Sequence, residues 1–315
     1  DTQNEVFKTP VNKIRLFEHG APGSQNLKLT RKYYTEDMPD GRVKHIVQNI
    51  TDPDIVPYIP DGIGNSTDRQ RIPAVLIIPG GAFRRLVYNF EGEDVAKWLN
   101  SMGIAAFVLE CRLPSDEHDN AEDVPLIDAM RAMRVIRGRA QEFGIDEAKI
   151  GVMGFSAGGF MAALLSTAYE SDVYADYKYK DEYDKLSARP DFAVCSYPVI
   201  SIDDCIEAGK RYMSEEQVLE RISDSKAKIL HKYNPDKLVR PDMPPVFICE
   251  TDDDRTTLSE NSVGFYMAAR KAGVSAELHI FRTGGHGYGC GDDFAQTGEW
   301  KVLFTKWIKS IGIIS

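Results

Sequence analysis

From residue 74 onward, six short apolar runs alternate with stretches of helical periodicity, and no other feature limits the fold as much. The runs are "AVLIIPGG" (74–81), "GIAAFVLE" (103–110), "KIGVMGFS" (149–156), "DFAVCSYPVI" (191–200), "PPVFICETD" (244–252) and "AELHIF" (276–281). Near-continuous apolar character means strands covered on both faces, the condition of a parallel sheet. Between them, 91–102, 123–143, 157–169, 260–273 and 298–311 space apolar residues three and four apart, as in Trp300, Leu303, Phe304 and Trp307. The pattern predicts one α/β domain over 1–315, built on a mostly parallel, doubly wound sheet. Residues 1–73 are rich in charge, Pro and turn residues. There, 27–35 and 42–50 read as strands joined at Pro39-Asp40-Gly41, expected to form an antiparallel edge on that sheet. The long segment 201–243 contains an amphipathic stretch, 214–233, and is expected to be a helical cap over the carboxyl ends of the strands, where ligands bind in such sheets.

Charge and cysteine content exclude several roles. A net charge of −10 argues against nucleic acid and anionic membranes as partners. No apolar stretch approaches the roughly 20 residues of a membrane span. Five scattered cysteines include no CxxC pair, and Cys111, Cys195 and Cys249 lie in or beside apolar runs, where they are expected to be buried small hydrophobes. The chain opens at Asp1 without Met or an apolar leader, which is expected of a processed or trimmed form.

One motif carries chemistry. "VMGFSAGG" (152–159) sets Ser156 between Gly154 and Gly158 where a strand gives way to a helix, the arrangement of a nucleophile elbow. Alone, Gly-x-Ser-x-Gly arises by chance in about one chain of this size in ten. Its surroundings sharpen it. The N–H of Ala157, at a helix start, would face an oxyanion formed at the serine, and "PGGAF" (79–83) follows the first long strand. That loop offers the N–H of Gly81 or Ala82 as a second donor, and sequence does not choose between them. His286 lies in the glycine-rich "TGGHGYG" (283–289) after the last strand. The acid that orients it should follow the penultimate strand, in "ETDDDRTTLSENS" (250–262), with the remaining aspartates facing water or capping the next helix. Nucleophile, acid and base then occur in the order Ser, Asp, His.

With these elements on the page, the chain resembles the α/β-hydrolase carbohydrate esterases of the acetyl-xylan-esterase-like family, the xylanase-associated esterases. The resemblance runs over roughly 45–310 through "NITDPDIVPYIPD", "IIPGGAF", "EGEDVAKWLNSMGIAAFVL", "DAMRAMRVIRGRAQEFGID", "KIGVMGFSAGGFMAALLST", "RPDFAVCSYPVIS" and "ENSVGFYMAARKAGVSAELHIFRTGGHGYG". It implies the α/β-hydrolase fold, Ser156 as nucleophile, His286 as base and Asp254 as acid, with Asp253 as the fallback. It also implies a serine esterase that removes acetyl groups from acylated oligo- or polysaccharide without a cofactor, and a secreted or periplasmic setting. The chain departs from the family where Arg-Tyr-Arg-Leu is replaced by "ECRL" (110–113). It departs again in "IDDCIEAGKRY" (202–212), which lacks a histidine. Both segments are expected to shape the substrate pocket.

Further readings attach to single residues. Arg84, its neighbour Arg85, and Arg112 are candidate substrate contacts. Asp128 and Arg131 share a helix face and are expected to pair with each other. Tyr169, Tyr174, Tyr177, Tyr179 and Tyr183 either offer sugar-stacking faces or belong to a surface loop. The aspartates at 252–254, 292 and 293 match no metal-site spacing, so no metal is expected. Alternatives are a lipase-like carboxylesterase, a feruloyl esterase, or a noncatalytic binding protein on the same fold.

Overall fold

The computed structural model describes residues 7, 10–63, 71–223, 227–291 and 295–315. Its strands, in chain order, are β1 (Ile14–Arg15), β2 (Lys32–Asp37), β3 (Val43–Gln48), β4 (Asp54–Tyr58), β5 (Ile72–Ile78), β6 (Leu86–Val87), β7 (Ala105–Glu110), β8 (Ile145–Phe155), β9 (Ala193–Ser196), β10 (Val246–Thr251) and β11 (Ala276–Phe281). Its α-helices are α1 (Asp94–Ser101), α2 (Val124–Gly138), α3 (Ala140–Phe143), α4 (Ala157–Ala168), α5 (Ile202–Tyr212), α6 (Glu215–Ser223), α7 (Ala227–Lys232), α8 (Ser259–Lys271) and α9 (Glu299–Ser310).

All six apolar runs become strands of one eight-stranded sheet, ordered β1-β4-β7-β5-β8-β9-β10-β11. From β7 to β11 the strands run parallel, whereas β4 and β1 add antiparallel at one edge. Strands β7, β9 and β10 are buried along their whole length, as apolar runs without alternation require. Helices cover them. Trp98 of α1 meets Trp300 and Phe304 of α9 at ring-centroid distances of 5.0 and 5.4 Å.

The hairpin expected in the N-terminal region forms, with Met38 and Arg42 closing the turn between β2 and β3. It does not edge the main sheet. β3 pairs instead with β6, through Ile46–Val87 and Val47–Leu86, to make a separate three-stranded sheet. The reason is burial. β2 has no fully buried residue, while β4 supplies Ile55 and Val56, both inaccessible, to the edge beside β7.

That edge contains a buried charge cluster. Asp54 and Glu110 face each other across β4 and β7, an unfavourable pairing of like charges. Arg31 bridges them at 2.6 Å to each, and Lys13 lies 2.7 Å from Glu110. Burial first, then the Glu110 charge, push the Asp54 carboxyl up to about 6 against the pull of Arg31 and Lys13. The cluster ties the N-terminal segment to the sheet.

The expected Asp128–Arg131 pair is not made. Asp128 turns to Arg112, with Oδ1 to Nη2 at 2.6 Å, and Arg131 reaches Asp184 at 3.0 Å as well as Asp181. An i, i+3 pair is worth only a few tenths of a kcal/mol on an exposed face, and both side chains here are buried among stronger partners. The tyrosines of 169–183 are largely used in the same packing. Tyr169 and Tyr174 are buried, Tyr177 stands edge-on to Phe17, and Tyr183 lies under Arg131; Tyr179 is the exposed one. All five cysteines are free thiols, with Cys111, Cys195 and Cys249 buried as expected.

Arg31→Met should destabilise the fold by about 3–5 kcal/mol, because it leaves two opposed buried carboxylates short of a partner. Arg15→Ala, which removes an exposed pair with Asp52, should change stability by less than about 1 kcal/mol. Urea unfolding of both variants compares them; similar small losses would contradict the assignment of the cluster as a clamp.

Candidate active site

Four loops at the carboxyl ends of β5, β8, β10 and β11 converge, and Ser156 stands at their centre. β8 ends at Phe155 and α4 starts at Ala157, leaving one residue for the reversal. Ser156 makes it at φ 55°, ψ −119°, a conformation that costs a non-glycine residue about 1–3 kcal/mol. Close packing enforces it. A Cβ on Gly154 would lie 1.9 Å from the carbonyl oxygen of Gly158, and one on Gly158 would lie 1.9 Å from that of Ile78. The Ser156 N–H is anchored on Ser196 O at 3.0 Å.

His286 Nε2 lies 2.8 Å from Ser156 Oγ, and its Nδ1 lies 2.6 Å from Asp254 Oδ2. Of the two candidate acids, Asp254 is the one in contact with His286. Its Oδ1 accepts the N–H groups of Thr256 and Thr257 at 2.7 and 2.9 Å, and its Oδ2 accepts Thr257 Oγ1 at 3.0 Å. Burial, the largest influence, would raise this carboxyl; hydrogen bonds and charge from His286, with the two backbone donors, outweigh it and hold the group below the usual carboxylate range. Asp253 does something else: its Oδ1 accepts the Gly285 N–H at 2.8 Å and so pins the histidine loop. Neither it nor its neighbours cap α8, whose N-cap Leu258 makes no side-chain bond.

The candidate oxyanion loop keeps both expected donors. Gly80 N–H is engaged by Glu91 Oε2 at 2.8 Å, which leaves Gly81 and Ala82, both lining the cleft beside Ser156. Gly81 sits at φ 141° and Ala82 at φ 57°, so the turn is set by hydrogen bonds from Arg84 N, Arg85 N and Val87 N back to Gly81 O and Gly80 O. Ala157 N–H opens α4, where the helix dipole is positive.

Ser156 and His286 open on a cleft of about 810 Å³. Its outer wall was not legible in the sequence. Met38, Asp40, Arg42 and Lys44, from the β2–β3 hairpin, line it together with Phe90 and Arg85; none of its described lining residues comes from 201–243, whose described residues include α5, α6 and α7. Several expectations change accordingly. Arg85, held by Glu36, lines the cleft and Arg84 does not. Arg112 is fully buried and committed to Asp128, Ser24 Oγ and Pro22 O, so it is a structural residue and not a substrate contact. Glu110 is likewise buried in the edge cluster, so the "ECRL" departure alters packing and leaves the pocket alone. Thr257 was also missed, although an Asp followed by Thr three residues later is the pattern of a carboxylate that closes its own turn. Among the described residues no group of three or more His, Cys, Asp or Glu could hold a metal ion; Asp292 and Asp293 lie outside the described residues. No helix among the described residues is long and apolar enough to cross a membrane.

Residues 63–268 match the model of the BD-FAE family. The chain belongs to that family. Over 240 residues this BD-FAE member is 31% identical to an acetylxylan esterase of Xylanibacter ruminicola, a match covering 76% of this chain and 45% of the other. It is 31% identical over 227 residues to endo-1,4-beta-xylanase B of Butyrivibrio fibrisolvens, covering 72% and 34%. The chain thus spans less than half the length of either of these curated relatives. The crystal structure of an acetyl ester-xyloside bifunctional hydrolase from Caldicellulosiruptor lactoaceticus superposes with a TM-score of 0.70 at 34% identity, covering 96% of this chain and 97% of that one. A carboxylesterase from Lactobacillus plantarum shares the fold at 20% identity, with a TM-score of 0.66 and coverage of 91% and 99%. The BD-FAE member has the α/β-hydrolase fold that its sequence resembles.

A fluorophosphonate should label Ser156, read by mass spectrometry of the modified peptide. Asp254→Asn should slow labelling by a factor on the order of 10³–10⁴, and Asp253→Asn by less than about tenfold. Equal effects of the two substitutions would overturn the geometric assignment of the acid.

Proposed function

We propose that this BD-FAE member is a serine esterase that removes O-acyl groups, chiefly acetyl, from xylan-type carbohydrate through an acyl-enzyme on Ser156. The observation that carries this reading is the continuous hydrogen-bonded line from Ser156 Oγ through His286 to Asp254, opening on a cleft large enough for a sugar. Ser156 Oγ gives its proton to His286 Nε2 as it attacks the ester carbonyl. The resulting imidazolium keeps its Nδ1–H on Asp254, whose ionised form the four surrounding donors stabilise. The negative charge on the former carbonyl oxygen is taken by the N–H of Ala157 and that of Gly81 or Ala82. Collapse of the tetrahedral intermediate expels the sugar alkoxide, which takes the proton from Nε2. A water that gives its proton to the same nitrogen then attacks the acyl-serine, and collapse breaks the Ser156 Oγ–carbon bond, releasing acetate as Oγ takes the proton back from Nε2.

Support for an acetylated xylan substrate comes from the names of the relatives, two of which are acetyl-ester hydrolases linked to xylan or xylosides. An open cleft with mixed charge, where Arg42, Lys44 and Arg85 stand beside Asp40 and Asp94, suits a polyhydroxylated ligand better than an acyl chain of lipid length. A polymeric substrate also favours a secreted or periplasmic location.

Wild-type protein should hydrolyse p-nitrophenyl acetate and release acetate from acetylated xylan, and Ser156→Ala should lose on the order of 10⁶-fold in kcat. Equal activity or equal inertness of the two proteins would end the esterase reading. Because Asp254 is held below the usual carboxylate range, it should not titrate on the acid side of the profile, and only one proton should govern there. The logarithm of kcat/KM should therefore rise with pH at unit slope, and a slope of two would mean that a second group titrates there.

A further inference from the structure

Two loops flank Ser156, and a buried carboxylate that the proposed chemistry does not use ties them together. Glu91 lies in the π-helical turn Asn89–Glu93 that precedes α1, almost wholly inaccessible to solvent. Its Oε2 accepts the Gly80 N–H at 2.8 Å, on the loop after β5. Its Oε1 accepts the Tyr197 hydroxyl at 2.8 Å. The same phenolic oxygen accepts the Gly289 N–H at 2.9 Å, on the loop that carries His286. Tyr197 is fully buried, and its ring stands edge-on to the imidazole with centroids 5.0 Å apart. The fit is close: a Cβ on Gly80 would lie 2.6 Å from Glu91 Oε2 and 2.9 Å from Ser156 Cβ.

We infer that Glu91 is a positioning residue for the acyl-transfer site, acting with Tyr197 as a brace that fixes the oxyanion loop and the histidine loop relative to Ser156. The inference rests on the esterase reading. An ionised carboxylate is acceptor-only, and every donor in the network points toward it or toward the phenol that donates to it. The chain of bonds has one direction, from Gly289 N–H to the Tyr197 oxygen, from the Tyr197 O–H to Glu91, and from Gly80 N–H to Glu91. A carboxamide cannot reproduce it. With glutamine, the amide oxygen can still serve Gly80, but the NH2 group then faces a Tyr197 oxygen that already accepts from Gly289, and the hydroxyl proton loses its acceptor. Burial raises the Glu91 carboxyl above its usual value, and the Tyr197 hydroxyl, the His286 charge, the Gly80 N–H and Lys44 offset that only in part; the brace is read from the geometry, in which both carboxyl oxygens accept.

Displacement of donors or base by about 1 Å is enough to lower turnover about 100-fold without changing how a small ester binds. The brace is tested with Glu91→Gln, Tyr197→Phe and the double variant, assayed on p-nitrophenyl acetate with thermal melting in parallel. Glu91→Gln should lower kcat about 100-fold with KM within about threefold of wild type. Tyr197→Phe, which releases Gly289 but leaves Gly80 held, should lower kcat about tenfold. The double variant should be no slower than Glu91→Gln alone, because both changes cut the same connection. Wild-type kcat in Tyr197→Phe, a loss expressed only in KM, or multiplying effects in the double variant would each overturn the brace. Should Glu91→Gln not fold, Tyr197→Phe alone decides, since it removes one buried oxygen and keeps the ring. An inert wild-type protein would instead refute the esterase reading, so the two failures are distinct.

Discussion

Everything at the site depends on one close approach: Gly158, at the start of α4, lies so near the Ile78 carbonyl of β5 that no side chain fits between them. That contact seats the start of the helix against β5, and Ser156, the single residue between β8 and α4, turns at a positive φ. The strain at Ser156 is small beside the burial of α4, whose residues from Ala157 to Thr167 are nearly all inaccessible. A mobile loop could not hold a serine hydroxyl in line with an imidazole; a helix buried on this scale can.

Around this fixed point, hydrogen bonds from loop to loop replace the hydrophobic packing that secures the sheet. Asp254 closes its own turn with Thr256 and Thr257 before it meets His286, so its position is settled without the histidine. Asp253 fastens Gly285, Thr251 Oγ1 donates to Gly285 O, and Trp300 Nε1 donates to Gly289 O. A glycine-rich loop with few apolar side chains has little else to order it, and these polar ties set where its histidine points. The edge of the sheet uses the same logic with charges, where Arg31 and Lys13 reconcile Asp54 and Glu110 across two strands.

What could be read from the sequence was what depends on local pattern. Unbroken apolar runs gave away the parallel strands, and Ser156 and His286 followed because each sits at or shortly beyond a strand end that the pattern marks; the pattern placed the acid only among Asp252, Asp253 and Asp254, and the family resemblance favoured Asp254. Long-range pairings were less legible. Nothing in 27–50 shows that β3 bonds to Leu86 and Val87 in place of the main sheet, since its apolar content suits either neighbour. Arg112 and Asp128 are chemically able to meet a substrate or each other, and only the fold, which buries both completely, decides. Glu91 opens the helical stretch 91–102, and nothing local tells a solvated glutamate from one enclosed by two loops.

The separation of the small sheet from the large one has a consequence for how this scaffold can diversify. The β2–β3 hairpin forms the outer wall of the cleft, yet within its sheet it meets the rest of the molecule mainly through the two-residue strand β6. Its turn, Met38 to Arg42, carries none of the packing of the central sheet. Mutations there can redraw the shape and charge of the wall while the elbow, the histidine loop and the buried core stay as they are. The outer wall of the cleft and the packed core thereby lie in different parts of the chain, and a lineage can revise one without reopening the other.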